Sequence, residues 1–246
     1  MEIIYNLAEG KIILHDDVDT CLRYIEEGQA VILIVKDPEQ LPDISGIPYA
    51  VTLRAIQAGN VVDEVYLNRV IQRFKHQPWH ILDTERCSLR EMTLDDMDAY
   101  YQVYSHPDVR RYTLGPDPDR EKEREFIRKY IQNVYEGQEM GSWGIFLKSS
   151  GELIGEAGFH MRRDFQSPEL NYTLAKPYQG QGYATEVCKA ILAYGRDSMN
   201  FRRVHALVRQ ENMASIALLW RIGFQLSDEK FYQLDGIDYL RFEREL

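Results

Sequence analysis

Residues 170–192 read as a short strand, a glycine-rich turn and an amphipathic helix in direct succession, an order that calls for an α/β arrangement. Leu170, Tyr172 and Leu174 alternate as one face of a strand running to Lys176. The turn is Pro177-Tyr178-Gln179-Gly180-Gln181-Gly182, and Ala184, Val187, Cys188, Ile191 and Leu192 then recur on one side of a helix. Glycines there let the chain turn tightly and aim several backbone N–H groups the same way. The leading N–H groups of a helix have no internal partner, and the helix dipole favours negative charge beside them. Such a junction suits a phosphate or pyrophosphate. A purely structural tight turn is the competing reading. A P-loop would end in Gly-Lys-Ser/Thr, which is absent. A Rossmann fingerprint needs a third small residue where Thr185 stands.

The chain splits near residues 77–84. Residues 1–80 read as a small β-α-β-β-α domain of unassigned role. Its strands are Lys11–His15, Ala30–Val35 and Tyr49–Leu53, and its helices Val18–Glu27 and Val62–His76. The unbroken apolar run Ala30–Val35 after a helix points to parallel pairing. Asp16-Asp17 fits a helix N-cap better than a cation site. Residues 81–246 carry the chemistry. There Thr93 and Asp96 mark a capped helix start, and Met97, Tyr100, Tyr101 and Tyr104 form a core stripe. A helix is expected over 119–135, with the mixed charges of 120–125 on its solvated face. Strands follow at Trp143–Leu147, Leu153–His160 and Val204–Val208, a helix at Ala214–Ile222, and a closing hairpin turns at Asp235-Gly236.

A net charge of −10 without a long basic run disfavours nucleic acid as a partner. No stretch approaches the roughly 20 apolar residues of a membrane span. The amino terminus lacks the cationic and apolar regions of a signal peptide. Cys21, Cys87 and Cys188 lie far apart without CxxC spacing, so neither a disulfide framework nor a metal site is expected. The simplest compartment is the cytoplasm. Oligomeric state is left open.

The segment Gln179-Gly180-Gln181-Gly182-Tyr183-Ala184 resembles the Gln/Arg-x-x-Gly-x-Gly/Ala signature of the GNAT N-acetyltransferases. Around it, Thr84–Arg90, Glu169-Leu170-Asn171-Tyr172, Tyr183-Ala184-Thr185-Glu186, Glu211–Ile216 and Ile222-Gly223-Phe224 are similar to the Rim-type branch, named for ribosomal-protein N-terminal acetyltransferases. The resemblance runs from about residue 84 to 225. It implies an α/β (α+β) GNAT fold with a mixed, splayed central sheet, behind a small α/β amino-terminal domain.

It also implies acetyl-CoA as acetyl donor, no metal, and a primary amine as acceptor, either a small molecule or a protein N terminus. The amides of Gly180, Gln181, Gly182, Tyr183 and Ala184 would then hold the diphosphate, beside Gln179. The backbone of Tyr172, Thr173 and Leu174 would pair with the pantetheine arm, and Asn212 would bind cofactor, cap the next helix, or both. An amine must be neutral to attack, and an alkyl amine has a pKa near about 10.4, so the site needs a proton acceptor. Glu169 is the first choice as base, and its competing role is an ion pair with Arg162 or Arg163. Glu156 and His160 stand in reserve; their competing readings are a solvated position and a core edge.

Many members carry a Tyr seven residues after the Asn. Leu219 occupies that position here, leaving Ser215 as a weak proton donor beside water. Tyr112 and Arg163 are expected to face the acceptor. A non-catalytic acetyl-CoA sensor is the alternative, and an ATP- or NAD-binding enzyme a third reading.

Overall fold

The apolar run Ala30–Val35 forms β3, buried along its whole length, so it needs cover on both faces. It pairs parallel with β2 (Gly10–His15) on one side and β4 (Ala50–Thr52) on the other. An edge strand, β1 (Glu2–Leu7), lies antiparallel to β2. One face carries Ile12, Ile32 and Ile34 against Leu67, Val70 and Ile71 of α3 (Glu64–Phe74). The other carries Ile13, Val31 and Leu33 against Cys21 of α1 (Val18–Glu26).

Asp17 caps α1, accepting from the Thr20 amide at 2.9 Å. Two elements go beyond the sequence expectation. The half-exposed alternation of Glu2–Leu7 hides β1. After β4 the chain enters α2 (Leu53–Ala58), where Thr52 Oγ1 accepts from the Ala55 amide at 3.1 Å.

This computed structural model describes residues 1–37, 46–58, 62–113, 115–136, 138–162, 164–234 and 236–246. The chain divides into two units, Met1–Trp79 and His80–Leu246. The first is the four-stranded unit above. The second holds an eight-stranded mixed sheet in the order β11-β12-β10-β9-β8-β7-β6-β5.

Its strands are β5 (His80–Asp83), β6 (Cys87–Arg90), β7 (Gly141–Leu147), β8 (Leu153–His160), β9 (Glu169–Leu174), β10 (Arg203–Arg209), β11 (Gln225–Leu234) and β12 (Ile237–Glu245). His80–Asp83, within the stretch where the sequence splits the chain, is thus one of the sheet's two edge strands. The turn expected at Asp235-Gly236 falls partly on residue 235, outside the described residues.

Helix α7 (Tyr183–Asp197) covers one face, its Val187, Cys188, Ile191 and Leu192 packing on Trp143, Phe159, Leu170 and Val204. Helices α4 (Met97–Val103), α5 (Pro107–Arg110) and α6 (Arg120–Tyr130) belong to the other connections. The capping box of Thr93 and Asp96 forms as expected. The helix expected to reach Tyr135 changes to a π-helical turn, Ile131–Glu136. Wider winding aligns residues five apart. It brings Tyr130 and Tyr135 edge-to-face at 5.2 Å and sets both hydroxyls on the Ser142 backbone.

Glu123, in the charge run expected to be solvated, is only 4% exposed, and its carboxylate accepts from the Asp117 amide at 2.8 Å. All three cysteines are buried and unpaired, and burial raises each thiol's pKa. The folded protein is therefore expected to give no fast reaction with a thiol-specific reagent, and three equivalents once denatured. Among the described residues no helix is long and apolar enough to cross a membrane.

Candidate active site

Strands β9 and β10 run parallel but share a single paired position, His205 opposite Glu169, where the His205 amide bonds Pro168 O at 3.0 Å. Beyond that rung they part. The gap opens into a cleft of about 690 Å³. Its wall on the β9 side is Tyr172, Thr173 and Leu174, and α8 (Met213–Arg221) with the Glu211-Asn212 turn forms the other.

The far end is the glycine turn. Gly180 (φ +75°) and Gly182 (φ +86°) take left-handed conformations that a Cβ would strain. No side chain caps α7. Its first backbone bond runs from the Glu186 amide to Gly182 O at 3.0 Å, which leaves the amides of Tyr183, Ala184 and Thr185 without helical partners.

Arg86, at the start of β6, holds this turn in place. Its amide and Nε donate to the two oxygens of Glu186 at 2.8 and 2.7 Å, and Nη1 donates to Gln181 O at 3.1 Å. Its guanidinium lies 4.0 Å from the Tyr183 ring centroid. The only acidic side chain in the first turn of α7 is thereby neutralised, so it does not repel an anion at the amides.

Nine of the ten cofactor residues expected from sequence line the cleft: Tyr172, Thr173, Leu174, Gln179, Gly180, Gly182, Tyr183, Ala184 and Asn212. Gln181 does not; its side chain folds back to Pro177 O at 2.6 Å. Asn212 caps α8, accepting from the Ser215 amide at 3.2 Å. Ser215 also lines the cleft, its Oγ 2.6 Å from the Tyr172 hydroxyl. Tyr112 lines it too and donates to Glu211 O at 3.2 Å. Arg163 lies outside the described residues. Leu219 is buried in the core.

Glu169 is absent from the cleft lining. It stands at the closed end of the splay, partly buried, with Arg162 Nη1 at 3.4 Å. Burial raises its pKa, partly offset by that guanidinium. The sheet register places Glu169 opposite His160, and Glu156 opposite Thr173, which does line the cleft. Glu156 is drawn out of water rather than solvated, and accepts the Tyr104 hydroxyl. Burial first, and the Glu123 carboxylate second, raise its pKa above the ordinary range. His160 Nε2 is 3.0 Å from Ser142 Oγ, and burial lowers its pKa to about 4, so the imidazole is neutral at pH 7.

Residues 86–225 match the family described as acetyltransferase (GNAT) domain. An uncharacterized N-acetyltransferase, p20 of Bacillus licheniformis, is 36% identical over 146 residues, 58% of this chain and 82% of that protein. An acetyltransferase structure from Agrobacterium tumefaciens str. C58 is 26% identical with a TM-score of 0.57, covering 67% of this chain and 94% of that one. RimL, a ribosomal L7/L12 alpha-N-protein acetyltransferase solved in complex with coenzyme A, shares the fold at 20% identity and a TM-score of 0.57, over 68% of this chain and 98% of that one. The family match spans more than half of the chain and takes in every residue lining the cleft, so the chain belongs to the GNAT family of acetyl-CoA-dependent acetyltransferases.

Proposed function

We propose that the protein transfers acetyl from acetyl-CoA to a primary amine in one direct step, with Glu156 receiving the amine's proton. The observation that carries this reading is the splay of β9 and β10 from one rung onto the unpaired amides of α7. The diphosphate of CoA sits on those amides, and the pantetheine arm takes the free edge of β9 as an added strand would. A backbone N–H near Thr173 or Leu174 meets the developing oxyanion.

Two carboxylates lie on the same face of the sheet, and position separates them. Glu169 is at the closed end and engaged by Arg162. Glu156 is one strand from the cleft wall at Thr173, within reach of an amine there, and burial raises its pKa as a base requires. The ammonium gives one proton to Glu156. The neutral nitrogen attacks the thioester carbon, the N–C bond forms and the C–S bond breaks. The second proton passes from nitrogen to the departing thiolate, leaving N-acetyl amine and free CoA thiol. A thiol of pKa about 8.5 needs little help to leave, and the Tyr172–Ser215 hydroxyl pair on the cleft wall serves this transfer. Cys87 and Cys188 are fully buried, which argues against an acyl-enzyme.

The test is acetyl-CoA turnover across an amine panel, followed by thiol release. Saturable acetyl-CoA binding with no release on any amine would favour the sensor reading instead. Gly182→Ala forces an alanine into a left-handed conformation costing about 1–2 kcal/mol. It is expected to weaken acetyl-CoA binding about tenfold by calorimetry, and an unchanged affinity would remove the diphosphate from this turn.

A further inference from the structure

We infer that the acceptor is a small primary monoamine bearing one ring or a short alkyl chain, bound in a second cavity behind the cofactor cleft; this rests on the acetyl-transfer reading above. The cavity holds about 210 Å³ and lies between α4, α6, the π-helical turn and strands β7 and β8. Its walls are apolar or aromatic: Met97 and Tyr100 of α4, Phe126 and Ile127 of α6, Ile131 and Tyr135 of the turn. An apolar cavity of about 150 Å³ accepts benzene, so this one has room for a ring and a short carbon chain.

Charge sits on the sheet and α6 sides. Among the described residues, no Lys or Arg lines the cavity. Asp96 is committed to Arg90 through contacts at 2.7 and 2.8 Å. His160 is neutral and bonded to Ser142. The uncompensated negative groups are Glu123 and Glu156. Glu156 spends one oxygen on the Tyr104 hydroxyl, and its other oxygen has no hydrogen-bond partner among the described residues. A half-buried carboxylate with an oxygen open to the cavity, beside aromatic rings, selects a cation.

The same features argue against longer acceptors. A peptide brings backbone amides that these apolar walls leave unsatisfied. A polyamine brings a second ammonium, for which the cavity's only other uncompensated anion is Glu123, on α6 and already accepting the Asp117 amide, with no anion at the apolar end. The acidic end also adjoins the reaction. Glu156 pairs in register with Thr173 of the cleft wall, and the Tyr104 hydroxyl interacts with both. An amine held at Glu156 therefore points its nitrogen toward the thioester while its ring fills the cavity.

The experiment compares kcat/KM for 2-phenylethylamine, hexylamine, spermidine and an alanine-terminated tetrapeptide at saturating acetyl-CoA. The two monoamines are expected to exceed the other two by about a hundredfold, the scale on which a site separates acceptors by buried groups. Ile127→Trp fills the cavity and should raise KM for 2-phenylethylamine at least about tenfold, with acetyl-CoA affinity unchanged by calorimetry. Phe126→Ala, at the exposed rim, should raise the same KM without lowering the melting temperature.

Preference for spermidine or the peptide, or a KM untouched by both substitutions, overturns the inference and leaves acetyl transfer standing. Acetyl-CoA binding without turnover of any of the four overturns both.

Discussion

Glu156→Gln is expected to lower kcat/KM by about 10²–10⁴, the range for loss of a positioned general base, while acetyl-CoA affinity stays put. Gln keeps an oxygen for the Tyr104 hydroxyl, so the local hydrogen bond survives. What disappears is the group that accepts the proton. The pH profile carries the diagnosis. Activity requires Glu156 ionised, so the acidic limb of kcat/KM should lie above the usual carboxylate range, because burial and the Glu123 carboxylate raise its pKa. Glu123, Tyr100, Tyr104, Tyr130 and Tyr135 are titratable groups about it, and burial holds all four tyrosines protonated. Burial and Glu156 itself hold Tyr104 protonated, so it does not titrate in that range, and its hydrogen bond to Glu156 offsets part of the rise.

Stability should move the other way. A carboxylate whose folded pKa is raised binds a proton more tightly folded than unfolded. Its penalty appears as pH rises from the unfolded to the folded pKa, and is complete above both. At neutral pH the Gln variant escapes that penalty and should melt no lower than the parent. Glu169→Gln, remote from the cleft wall, should cost less than about tenfold in kcat/KM. An equal or larger loss at Glu169, or a Glu156→Gln profile that keeps its acidic limb, would return the base to Glu169.

Gly158→Ala is expected to lower the melting temperature by roughly 6–12 °C, from a loss of about 3 kcal/mol spread over a unit of this size. A Cβ built on Gly158 would lie 1.8 Å from the backbone oxygen of Gly141, which no side-chain rotation relieves. Strands β7 and β8 must shift, and they carry Ser142, Glu156 and His160 along one face. Activity toward amines should fall with stability, and thermal denaturation followed by circular dichroism reads the larger effect. A melting point within about 2 °C of the parent would mean that β7 yields locally and the clash is absorbed.

The diphosphate turn was legible because everything that defines it is local. Strand alternation, two glycines and a helix face lie within about 20 consecutive residues, and nine of the ten positions drawn from that reading and its family resemblance line the cleft. The proposed acceptor face was not legible, because it is assembled by register. Glu156 becomes a half-buried carboxylate only when β8 sets it opposite Thr173 and the end of α4 brings Tyr104 across the sheet. Glu123 sits in a run of alternating charge whose average polarity masks one inward position. Glu169 stands at the closed end of the splay beside Arg162, a placement that no local pattern reveals. Arg86 braces a turn 100 residues downstream in the chain, beyond the reach of periodicity.

The lone rung between Glu169 and His205 leaves an unstitched seam through the middle of an otherwise continuous eight-stranded sheet. In the proposed binding mode acetyl-CoA is a structural member as well as a reagent, since it would fill the gap that β9 and β10 leave unpaired. At a hundredfold excess over its dissociation constant it adds about 2.7 kcal/mol to the folded state. Heat tolerance of the protein should therefore rise with acetyl-CoA concentration, read as a climbing melting temperature.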